Sequence, residues 1–273
     1  MNKIYWKALF PAFVFLLMQV VFSLLVPLVM LVCHPSAMKD VVAKGPASID
    51  HSAFVSPASM AIAIMLAGLA TCYILWRKGM VRLPEAFDGR SIRWPLTLLG
   101  ILGVILGVIA TDLLSEQLNL PNIIEAEMTE IVGTFWGVLA VAVIGPIVEE
   151  VVFREGIQGC LLRGGVKPWT AAVVSALCFG IIHLNPAQVP FAFIVGLMLA
   201  VIYQKTGNVV ITSLLHILNN SVSVALMRVL GDGAEDFTLT EWYNLTPLTV
   251  WCPIVILGFL SVWSLCLFYK KYQ

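Results

Sequence analysis

Gly145-Pro146-Ile147-Val148-Glu149-Glu150-Val151-Val152-Phe153-Arg154 puts two carboxylates and a guanidinium inside an apolar run that extends from Trp136 to Leu162. A run of that length reads as a membrane span, since about 20 apolar residues cross a hydrocarbon core. Each charge at the centre of such a helix costs roughly 2.5–3.5 kcal/mol, so these three need a reason to be there. Glu150 and Arg154 stand i,i+4 on one helical face and can pair. Glu149 turns to an adjacent face and has no partner on its own helix. Snorkelling to water is the plainer reading for such charges. Depth argues against it, because Glu149 lies 13 residues before Leu162, about 20 Å along the helix.

Five further runs are long enough to span: Leu9–Val32, Val55–Trp76, Trp94–Leu114, Val209–Leu230 and Leu248–Tyr269. Two shorter ones, Trp169–Leu184 and Val189–Tyr203, reach only about 22–24 Å and read as spans or as a re-entrant hairpin. The composition agrees, being 60% hydrophobic and only 12% charged, with a mean hydropathy of +0.94. The sequence therefore predicts an all-α, polytopic transmembrane helical bundle of about eight spans. It forms one integral membrane domain over 1–273, with a motif core at about 136–230. The first run follows Lys3 and Lys7, has no cleavage pattern behind it and is expected to stay in the protein.

With an even number of spans, Lys3, Lys7, Arg77, Lys78, Arg82, Arg90, Arg93, Arg163, Lys167, Lys205, Lys270 and Lys271 share one side. The positive-inside rule makes that side the cytoplasm and places both termini there. Asp112, Glu116, Glu125, Glu127, Glu130, Asp232, Glu235, Asp236 and Glu241 fall on the other side, where they read as solvated loop charge. A formal net charge of zero leaves no basic surface for a nucleic acid, so no such partner is expected. The six cysteines lie in or beside apolar runs without C-x-x-C spacing and read as small reduced hydrophobes.

Other polar residues reach the depth of Glu149. His183 is 14 residues beyond Trp169, and Asn220 is 13 beyond Gly207. His216 lies one turn from Asn220 on the same face, and Asn219 is the register alternative to Asn220. Intramembrane ionisable residues face the bundle interior and mark functional sites. Pro146 removes one ladder bond and, in an α-helix, frees the carbonyl of Ala142. Gly103/Gly107 and Gly133/Gly137 have G-x-x-x-G spacing, which reads as helix packing or chance.

Three motifs in this order resemble the CAAX-protease and bacteriocin-processing family of intramembrane proteases, which includes the type II CAAX prenyl endopeptidases. They are E-E-x-x-x-R at Glu149–Arg154, F-x-x-x-H at Phe179–His183 and H-x-x-x-N at His216–Asn220. The resemblance implies an intramembrane endopeptidase in which Glu149 and His183 activate water while His216 and Asn220 stabilise the oxyanion. Chemistry agrees, since a positioned carboxylate can take a proton from water and an imidazole and an amide can donate to developing negative charge. Glu150 and Arg154 take a supporting role.

The family reading also admits a zinc enzyme, with Glu149, His183 and His216 as ligands and a fourth position open. Without an H-E-x-x-H motif, and with Glu150 committed to Arg154, the expectation is no cofactor. The competing functions are a self-immunity or regulatory membrane protein and a small ion-coupled transporter. The expected partners are the lipid bilayer and a protein or peptide substrate, lipidated or unmodified. The expected location is a prokaryotic plasma membrane, with the active-site cavity toward the cytoplasm.

Overall fold

Eight long helices carry the chain in the computed structural model, which describes residues 2–33, 39, 55–230 and 238–272 and holds no strand among them. They are α1 (Asn2–Cys33), α2 (Pro57–Arg77), α3 (Trp94–Leu118), α4 (Phe135–Arg163), α5 (Pro168–Ile181), α6 (Val189–Thr206), α7 (Val209–Leu230) and α8 (Trp251–Lys271). Asp232, Glu235 and Asp236 lie outside the described residues. In a bilayer the backbone has no water to bond, so helices that satisfy their own N–H and C=O groups are the form that crosses. Seven of the eight are long and apolar enough to do so. α6, at 18 residues, is longer than its apolar run suggests and is among the seven, which leaves α5, at 14, as the short helix.

The tip of the α5–α6 hairpin shows how far the short helix reaches. Asn185, fully buried, accepts a bond from Ile123 N at 3.1 Å and donates to Asn122 Oδ1 at 2.7 Å. Ala187 N bonds Pro121 O at 3.3 Å. The segment that follows α3 is thus stitched to the segment that follows α5. At the opposite end, Arg93 N before α3 bonds Tyr272 Oη after α8 at 3.2 Å, and Trp169 at the start of α5 packs on Tyr269 with ring centroids 5.7 Å apart. The α5 helix and its closing loop together run from one end of α3 to the other.

α4 sits in the middle. α1 approaches where a Cβ on Gly156 would meet Pro11 Cβ at 3.1 Å, and α2 where a Cβ on Gly68 would meet Val148 Cγ2 at 2.9 Å. Val148, Val151, Val152, Phe153 and Ile157 form one face of the main apolar core. On the far side, α3 and α8 lock through Ser261 Oγ donating to Gly103 O and Ser264 Oγ to Leu99 O, both at 2.7 Å. Gly103 and Gly107 face that contact, so their spacing is helix packing. Gly137 instead abuts the carbonyl of Ile131 in the turn entering α4, which makes the second glycine pair a tight turn.

A Cβ on Gly103 would stand 2.8 Å from Leu265 Cγ and 3.2 Å from Leu265 N. Gly103→Leu is therefore expected to lower the melting temperature in detergent, because overpacking costs about 1–3 kcal/mol. Leu98→Ala, at a side chain 59% exposed on the same helix, is the control that leaves it unchanged. Equal melting temperatures for the two variants would remove Gly103 from the α3–α8 contact.

Candidate active site

α4 changes its winding twice around the charged turn. It is π-helical over Leu139–Ile144, α-helical over Gly145–Glu150 and π-helical again over Val151–Gln158. π segments bond i to i+5 and recur at functional sites. Gly145 N accordingly bonds Ala140 O. In that register the proline at 146 leaves the carbonyl of Val141 without a donor, not that of Ala142 as α-helical counting expects. Asn220 fills the gap, its Nδ2 donating to Val141 O at 3.0 Å. The amide of the third motif is thereby anchored to the helix that carries the first.

Glu150 and Arg154 pair as their spacing predicts, with Nε to Oε2 at 2.9 Å and both side chains wholly buried. The pair is not closed on itself. Arg154 Nη1 donates to Ser175 Oγ on α5 at 3.2 Å, and Ser175 Oγ donates to Phe153 O at 2.7 Å. On the other side Glu150 Oε1 takes a bond from Nδ1 of His216 on α7 at 3.2 Å. A carboxylate only accepts, so Nδ1 carries the proton and Nε2 is turned the other way. It points at Glu149, 3.6 Å from Oε2. The side chain of Glu149 is 21% exposed where that of Glu150 is 0%, so adjacent carboxylates occupy different surroundings.

His183 lies past the end of α5, in the turn closed by His183 N to Gly180 O at 3.2 Å, and not within the helix as its run suggests. Its Nδ1 stands 2.8 Å from Phe179 O. A carbonyl cannot donate, so this nitrogen holds the proton and a neutral ring keeps its lone pair at Nε2. Phe179 organises the group. Its ring packs edge-on to His183 at 5.0 Å, to His216 at 5.4 Å and to Phe153 at 5.3 Å, and the Arg154 guanidinium stands 5.2 Å from its centroid. Asn219 Nδ2 donates to Asn220 Oδ1 at 3.2 Å, which separates the two neighbours: Asn220 reaches α4 and Asn219 supports it.

Glu149, Glu150, Arg154 and His216 thus form one connected group, His183 joins it through the ring of Phe179, and Asn220 reaches α4 at Val141 O, eight residues before Glu149. Among the described residues, no three His, Cys, Asp or Glu side chains are grouped as a metal-ligand set, Glu149, His183 and His216 included. A second polar cluster escapes a reading by motif. Glu155, almost fully buried, accepts from Tyr203 Oη, from Arg163 Nη1 at 2.7 Å and from Arg82 N at 3.2 Å. It ties the basic loop before α3 to α4 and α6. Its signal was a third carboxylate in the same charged run, one residue past Arg154.

A cavity of about 830 Å³ lies between α3 and α7, with Leu215, Leu218, Asn219 and Phe191 in its wall and Asp112, Glu116 and Glu125 at one end.

These features define an integral membrane protein, an all-helical bundle with a buried carboxylate–histidine cluster. Residues 131–222, which hold all three motifs, match the family described as type II CAAX prenyl endopeptidase Rce1-like. The chain is also 26% identical over 89 residues to the Bacillus subtilis (strain 168) protein named "Putative membrane peptidase YdiL". That match covers 33% of this chain and 36% of the relative, so the two align over about a third of their lengths. No solved structure matches.

Glu150→Gln would leave Arg154 as a buried cation short of its partner, a change that typically costs about 3–5 kcal/mol. Lower yield and melting temperature of the solubilised protein are expected. Glu150→Gln combined with Arg154→Met is expected to recover part of both, since removing both charges is tolerated better than removing one. A double variant less stable than Glu150→Gln would show that Arg154 is held by Ser175 and Phe179 and not by the carboxylate.

Proposed function

We propose that this protein is an intramembrane endopeptidase in which Glu149 is the general base. The observation that supports this most directly is the partnering of the two carboxylates. Glu150 is wholly buried and spent on Arg154 and His216, whereas Glu149 is partly exposed and, among the described residues, pairs with the Nε2 edge of His216 at 3.6 Å. On this reading Glu149 takes a proton from water as the water oxygen attacks the peptide carbonyl, and the same proton then passes to the leaving amine. His183 accepts the second water hydrogen at Nε2 and fixes its orientation. His216 donates from Nε2 when its ring carries both protons, and Asn220 donates its second amide hydrogen, the first being held by Val141 O. Both serve the carbonyl oxygen as it gains negative charge.

The substrate on this reading is a protein or peptide held at the membrane, whose apolar segment lies in the groove between α3 and α7 beside Asn219. The basic edge with both termini is assigned to the cytoplasm by the positive-inside rule. Water activation is assigned to the carboxylate alone, without a metal.

Glu149→Gln keeps the shape but cannot take a proton, so cleavage of a quenched membrane peptide is expected to fall by about 10²–10⁴-fold with the melting temperature unchanged. Full activity in this variant would sink the assignment. Cleavage is also expected to persist in strong chelator, and a loss that added zinc restores would move Glu149 and the histidines into a metal site. For orientation, a cysteine at Arg82 should label only from the cytoplasmic side and one at Glu235 only from outside. The reverse pattern would invert the topology.

A further inference from the structure

Apart from this cluster, α3, α6 and α8 leave a groove of about 440 Å³, within the ~300–1,000 Å³ range of small-molecule sites. Its walls are apolar, with Ile194 and Met198 on one side and Val262 and Leu265 on the other. Along α8 it is lined from Ile254 to Lys270, about 24 Å of helix at 1.5 Å per residue. That length is most of a hydrocarbon core and far exceeds its width between neighbouring helices. One turn in from the Ile254 end, a Cβ on Gly258 would meet nothing within 4 Å, so the wall is open at that position.

The two ends differ. At the Ile254 end no charged or aromatic residue lines the groove, while the other end carries Trp169, Tyr269 and Lys270. Tyr269 is held in place there from three directions. Its hydroxyl accepts from Gln204 Nε2 at 2.6 Å, its ring packs on Trp169 at 5.7 Å, and Lys205 Nζ stands 4.1 Å from its centroid. Tryptophan and tyrosine settle at the level of lipid headgroups, and basic pockets between membrane helices bind anionic headgroups.

We propose that this groove binds one acyl chain of an anionic phospholipid, with the headgroup phosphate against Lys205 and Lys270 and the chain running along α8 past Gly258. The charge at the mouth selects an anionic lipid over a zwitterionic one, and the polarity of the two ends fixes which way the lipid lies. The site is separate from the proteolytic reading and stands or falls without it.

The test uses the full-length protein in mild detergent, with native mass spectrometry after addition of equal amounts of phosphatidylglycerol and phosphatidylcholine. Wild type is expected to retain one phospholipid and to prefer phosphatidylglycerol by about fivefold for each lysine at the mouth. Lys205→Gln and Lys270→Gln should each reduce the preference about fivefold without abolishing retention. Gly258→Leu, whose new side chain enters the open space, should retain none while its lipid-free melting temperature stays that of wild type. If that variant yields no folded protein, Val262→Trp fills the same wall from an exposed position and carries the comparison. Equal retention of the two lipids by wild type, or undiminished retention in the filled variant, overturns the proposal.

Discussion

The ion pair between Glu150 and Arg154 has no exposed side-chain surface at all, and the arrangement of the helices around it follows from that. An ion in a medium that cannot solvate it carries a penalty of several kcal/mol, offset only when every donor and acceptor has a partner. The pair supplies part of the answer and the neighbours the rest. Ser175 on α5 takes the free edge of the guanidinium, His216 on α7 takes the second oxygen of the carboxylate, and Phe179 offers its ring to the cation. α4 must therefore be enclosed by α5 and α7 at this level, with the long apolar faces of α1 and α2 closing the remaining side.

That constraint also explains how adjacent glutamates come to differ. One residue along a helix is about a quarter turn, so when Glu150 faces the interior Glu149 faces the seam between helices. Had both been buried, the second would have lacked any cation to face, since Arg154 is already used. The partial exposure of Glu149 is thus a consequence of the complete burial of Glu150. On the proposed reading it is also what lets water reach the base.

Much of this was legible in the sequence, for a physical reason. In a bilayer a charged or amide side chain stands out against an apolar run, and the spacings of Glu150 to Arg154 and of His216 to Asn220 are helical neighbours whatever surrounds them. The rest was hidden because it depends on winding or on distant pairing. Counting at 3.6 residues per turn assigned the carbonyl freed by Pro146 to Ala142, whereas the π segment over Leu139–Ile144 moves it to Val141. The apolar run to Leu184 conceals that α5 ends at Ile181 and that His183 rides on a turn. Ser175 carries no spacing signal, because its partner Arg154 is 21 residues away, and the tie from Glu155 to Tyr203 spans 48 residues.

The π turns on either side of Gly145–Glu150 connect these observations. A wider turn leaves carbonyls whose donors have shifted by one residue, and a proline inside that register leaves one with no donor. An unsatisfied carbonyl in a dry interior costs as much as a lost hydrogen bond, so a donor from outside the helix is required. Asn220 is that donor, and its reach to Val141 O, eight residues before Glu149, draws α7 against α4. His216, one turn before Asn220 on the same face, then falls between Glu149 and Glu150. The position of the imidazole relative to both carboxylates is therefore tied to a backbone defect at Val141, eight residues before Glu149 and nine before Glu150. The proline that weakens the helix is what brings the third motif to the first.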